Sequence, residues 1–99
     1  MNKNMLKQAQ QLQAKLQQAQ AELEDATVEG TAGGGAVKVV MTGKQLIESI
    51  DIAPEATEDI EMLQEMIIAA MNDASKKVQD LATKKMGALT GGMKMPGLF

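Results

Sequence analysis

Ninety-nine residues make one domain, and a chain of this size buries only about 60–70% of its unfolded surface, so a second subunit would add to a modest core. The absence of cysteine and histidine excludes disulfides, thiolate nucleophiles, zinc fingers and imidazole acid–base catalysis, and most enzyme mechanisms with them. The net charge of −3 is unevenly spread: residues 1–21 hold Lys3, Lys7 and Lys15 with no acid, residues 22–65 hold eleven acids against Lys38 and Lys44, and residues 66–99 hold five lysines against Asp73 and Asp80. Basic ends around an acidic middle bear on partners more than on fold.

From the N-terminus, Met5, Ala9, Leu12, Leu16, Ala19, Leu23 and Ala26 recur at steps of four and three, and the Gln and Ala between them favour helix. A helix over Asn4–Ala26 is predicted, a rod of roughly 34 Å in a domain whose radius of gyration should be ~13 Å. Part of the rod must then project or lie along a second chain. Its apolar seam suits either the chain's own sheet or a partner helix. The opening MNKNMLKQAQ lacks the apolar core of a signal peptide, and no run approaches the ~20 apolar residues of a membrane span, so a cytoplasmic protein with no membrane association is expected.

Val28 and its neighbours read as a weak first strand. Val37, Val39 and Met41 alternate with Lys38, Val40 and Thr42, as in a strand with one buried face. Leu46, Ile50 and Ile52 repeat the pattern after Thr42-Gly43-Lys44, so these two segments read as a hairpin. Gly33, Gly34 and Gly35 fall between the first two strands, where positive φ is expected. Pro54 ends the third strand, and Thr57 is the expected N-cap of a second long helix, with Glu58, Asp59 and Glu61 complementing its dipole. Ile60, Leu63, Ile67, Ala70, Ala74 and Leu81, widened by Met66, Met71 and Val78, give that helix its sheet-facing stripe. Gly87, Gly91, Gly92 and Pro96 should end the order, dividing the chain into a domain at 1–90 and a flexible tail at 91–99.

The stretch TAGGGAVKVVMTGK superficially resembles a phosphate-binding loop. A P-loop needs its first glycine where Lys38 stands and a hydroxyl where Gln45 stands, and it must open a helix, whereas here a strand follows. The glycines are turn chemistry, and no cofactor or metal site is expected. Glu61 and Glu65, one helical turn apart, suit a solvated helix start better than an acid–base pair, so the chain reads as a non-enzyme.

Four blocks carry a family resemblance: LKQAQQLQAKLQQAQAEL, TVEGTAGGGAVKVVMTGK, IDIAP and EMIIAAMNDASKKVQDLATKKM, followed by a Gly-Met-Pro tail. Together they resemble the YbaB/EbfC family of bacterial nucleoid-associated proteins over almost the whole chain, with the Ala-Gly-Gly-Gly-x-Val-Lys-Val block the most specific part. The resemblance implies an α+β fold with α-β-β-β-α order and a tweezers-like homodimer with protruding helices. It also implies double-stranded DNA binding by those helices, a nucleoid location in the cytoplasm, and an association with replication and recombination. Many members carry Asp before the proline where this chain has Ala53, and its cationic groups are ten lysines with no arginine.

The candidate DNA-binding residues are Lys3, Lys7 and Lys15 on the first helix and Lys76, Lys77, Lys84 and Lys85 on the second. Lysine meets phosphate as a point charge and lacks the fork with which arginine reads guanine, so weak sequence discrimination is expected. Phe99 is the sole aromatic residue, which disfavours the stacking used on single strands and RNA loops. Asp73 precedes Lys77 and Asp80 precedes Lys84 by four, the spacing of intrahelical ion pairs, so those two lysines also have a purely structural reading. Each lysine alone is better read as an ordinary solvated residue; the clustering at both ends makes the functional case. The other function considered is an adaptor whose acidic body docks replication or recombination proteins with little DNA contact.

Overall fold

The computed structural model describes residues 2–90. The chain runs α1 (Lys3–Asp25), β1 (Thr27–Ala32), β2 (Val37–Thr42), β3 (Ile47–Ile52) and α2 (Ile60–Thr90), the α-β-β-β-α order expected from the sequence. The strands form an antiparallel meander in the order β1-β2-β3, with Val39 opposite Gly30 on one side and Ile50 on the other. Gly33, Gly34 and Gly35 all take positive φ in the turn that leads into β2. The expected tail at 91–99 lies outside the described residues.

Alternation sends Val37, Val39 and Met41 to the face covered by α2, where they pack with Ala70, Ala74 and Val78. Val37 and Val39 are completely buried, each contributing about 1.5–3 kcal/mol. Small residues set the depth of this contact. A Cβ at Gly30 would lie 2.5 Å from the Ala74 nitrogen and 2.7 Å from its Cβ, so the bare backbone of β1 lets α2 settle on the sheet. Val28, Ala32, Ile52, Leu63, Met66, Ile67 and Met71 close the rim of the core.

The structure departs from the sequence expectations at four places. Asp59, not Thr57, caps α2: its carboxylate accepts the Met62 N–H at 3.1 Å, while the Thr57 hydroxyl donates to the Pro54 carbonyl at 2.6 Å inside a 3-10 turn over Pro54–Glu58. The hairpin turn places its positive φ on Gln45, leaving Gly43 to serve close packing, since a side chain there would strike the Leu23 carbonyl of α1. Leu46 lies before β3 and is 61% exposed, because Met41 pairs with Ile47 across a register shift in β2. Gly87 does not end α2, which continues to Thr90.

The two helices outrun the sheet. Of the α1 seam only Ala19 is buried; Leu12, Leu16 and Leu23 are half-buried, and Met5 is 61% exposed. Within the chain the helix rests chiefly on α2, with a lesser contact to β2. The molecule measures 67 × 23 × 15 Å, with a radius of gyration of 18.7 Å against the ~13 Å of a compact domain this size.

Candidate nucleic-acid interface

α1 begins at an Asn2 cap, whose side chain accepts the Asn4 N–H at 2.9 Å, so helical order extends to the basic end of the chain. At 100° per residue, Lys3 and Lys7 fall on the side of the helix opposite the Met5, Leu12, Leu16 and Leu23 seam, and Lys15 falls to one flank. All three are exposed, and the first acid along α1 is Glu22. Their ammonium groups therefore meet solvent as unneutralised charges on the segment that projects beyond the core.

The four lysines of α2 divide into two kinds. Lys76 and Lys84 are exposed and, among the described residues, form no ion pair. Lys77 is held twice, by Asp73 at 3.2 Å and by the Glu29 carbonyl of β1, to which its ammonium donates at 2.7 Å. Lys85 is paired with Glu22 of α1 at 3.1 Å and is the less exposed partner. The spacing of Asp73 and Lys77 announced the first pair. The Lys85 partner lies 63 residues away in sequence, and no local pattern signals it. A third pair, Lys44 with Glu24 at 3.8 Å, joins the hairpin turn to the end of α1.

Asp73 is the hub of this polar group. Its carboxylate accepts the Thr31 N–H at 3.0 Å, and that bond, then the bond from Lys77, holds its pKa below the ordinary 3.8 against a smaller opposing effect of burial. The Lys85–Glu22 contact ties α1 to α2 where the two helices leave the sheet. Sequence reasoning missed both Asp73 and Glu22 as organising residues.

What the arrangement offers chemically is a set of ammonium point charges, Lys3, Lys7, Lys15, Lys76 and Lys84, on helix surfaces. Seven acids lie apart from them, on β3 at Glu48 and Asp51 and around the start of α2 at Glu55, Glu58, Asp59, Glu61 and Glu65, while Glu22, Glu24 and Asp25 end α1 and Asp73 and Asp80 share α2 with its lysines. Among the described residues no group of carboxylates is placed to hold a metal ion, and no helix is long and apolar enough to cross a membrane.

The fold has a solved counterpart. The crystal structure of an uncharacterized protein from Helicobacter pylori superposes with a TM-score of 0.73 at 24% identity, covering 93% of this chain and 99% of that one. Among sequence relatives, a nucleoid-associated protein of Pelotomaculum thermopropionicum is 57% identical over 97 residues, covering 96% of this chain and 92% of the relative. Another of that name, from Chloroflexus aurantiacus, is 51% identical over 102 residues and is aligned along the full length of both chains. The model of the YbaB/EbfC DNA-binding family matches residues 1–93. With its α-β-β-β-α fold, this chain belongs to the YbaB/EbfC DNA-binding family.

Proposed function

We propose that the protein is a nucleoid-associated homodimer that binds double-stranded DNA through lysines on its projecting helices, with little sequence discrimination. The observation that carries this reading is the distribution of charge: exposed lysines on both helices, free of acids over the first part of α1, and acids gathered on β3 and around the start of α2. A duplex can meet the basic segments while the acidic segments stay clear of its phosphates. Lys3, Lys7, Lys15, Lys76 and Lys84 are the contacts; Lys77 and Lys85 contribute field but spend their hydrogen bonds within the fold.

Exposed apolar residues support the dimer. Ile50 lies opposite Val39 on the helix side of the sheet, yet α2 packs over β1 and β2 and leaves Ile50 44% exposed. Ile60, Ile68 and Met62 on α2 are 66%, 59% and 56% exposed, an apolar content that a second copy would cover. The names of the relatives support a nucleoid location.

Fluorescence anisotropy with duplex, single-stranded DNA and RNA across a salt series tests the reading. Duplex should bind best, with log K falling against log salt at about −0.9 per phosphate contacted. Absence of duplex binding at low salt, or affinity indifferent to salt, would reject it in favour of a protein-docking role.

A further inference from the structure

An edge strand turns the N–H and C=O of every second residue away from its sheet, a template on which another chain can add. In β1 those residues are Thr27, Glu29 and Thr31. The even-numbered series faces β2, as the bond from the Gly43 N–H to the Ala26 carbonyl at 3.0 Å shows at the strand's start. In the middle and at the far end of the strand, one outward group of each residue is taken. The Asp73 carboxylate takes the Thr31 N–H at 3.0 Å, the Lys77 ammonium gives to the Glu29 carbonyl at 2.7 Å, and the two side chains are joined at 3.2 Å. They flank Ala74, which sits against Gly30, so the same close approach that seals the core brings both to the strand's rim.

The opposite edge is different. In β3 the register leaves Ile50 and Ile52 turned outward, and among the described residues no side chain bonds their backbone groups. We infer that Asp73 and Lys77 are an edge lock: they mimic a neighbouring strand along β1, refuse backbone pairing there by a second copy of this chain, and confine any such pairing to β3. As an exposed ion pair the two gain little from each other's charge, and their worth lies in the backbone groups they cover. A sheet of three strands open at both edges would let copies add on each side and grow without closure; one locked edge limits assembly to a closed form. The inference involves no DNA contact and stands whether or not the lysine rods bind a duplex.

The test compares the wild type with Asp73→Ala/Lys77→Ala and with the shape-conserving Asp73→Leu/Lys77→Met, which keeps bulk but offers neither acceptor nor donor, using sedimentation velocity across a concentration series and amide exchange at Thr31. Folding is checked by circular dichroism, and the second pair stands in should the alanine pair unfold. The unlocked protein should lose protection at Thr31 at low concentration and, as concentration rises, reach a weight-average mass about twofold or more above wild type, as joined assemblies require. Adding Thr31→Pro, which removes the outward N–H at an edge position where proline is tolerated, should return the mass to the wild-type value. A folded, unlocked variant that sediments like wild type at every concentration would overturn the inference, as would large assemblies that persist with Thr31→Pro.

Discussion

A methyl group added at Gly30 would meet the Ala70 carbonyl and the Ala74 backbone, groups that cannot swing aside as a flexible side chain can. Gly30→Ala should therefore lift α2 from the sheet and cost about 1–3 kcal/mol, measured as a lower urea midpoint with an unchanged slope. Asp73 makes a pH-dependent contribution. Its folded pKa lies below 3.8, chiefly through the Thr31 N–H and then Lys77, so its stabilisation is complete above that value and disappears as pH falls through the depressed one. Asp73→Asn should thus be less stable than wild type at neutral pH, and the difference should vanish on acidification; equal stabilities at pH 7 would refute this.

At the level of elements, α2 runs through a residue that the sequence offers as a stop signal. Gly87 has no neighbour within 4 Å of the position a Cβ would take and lies within the helix, so Gly87→Ala should stabilise the protein by about 0.5–1 kcal/mol, read as a higher thermal midpoint. At the other end, Asp59→Ala removes the acceptor for the Met62 N–H and should cost about 1 kcal/mol, whereas Thr57→Ala should leave the helix start intact. The seam of α1 was readable as a helix from its three-four spacing. Its burial was not, because covering half of it depends on where α2 passes, which no residue of α1 encodes.

For the molecule as a whole, the charge distribution makes a graded prediction. Replacing Lys3, Lys7, Lys76 and Lys84 by Glu should abolish duplex binding at moderate salt, and each single Lys→Ala among them should flatten the salt slope by about 0.9 for every phosphate no longer neutralised. Lys77→Met should leave that slope nearly unchanged, since Lys77 is bound to Asp73 and Glu29. The charge-exchanged double variant Lys85→Glu/Glu22→Lys offers a further separation: retained affinity identifies a strut between the helices, and weakened affinity a direct role of Lys85 at a phosphate.

Element order, the strand alternation and the lysine-bearing segments were legible in the sequence, because hydrophobic period and charge are local properties that survive any arrangement of the elements. The P-loop reading could likewise be dismissed from spacing alone. Packing decided the rest: Asp59 replaced Thr57 as the cap once Pro54–Glu58 closed into a tight turn, and Gly43 and Gly30 acquired their roles only when helices came to lie across them. It also withdrew Lys77 and Lys85 from the pool of uncommitted charge, since their partners Glu29 and Glu22 are brought within reach only by the folded chain. Such long-range pairings depend on distances that sequence separation does not express.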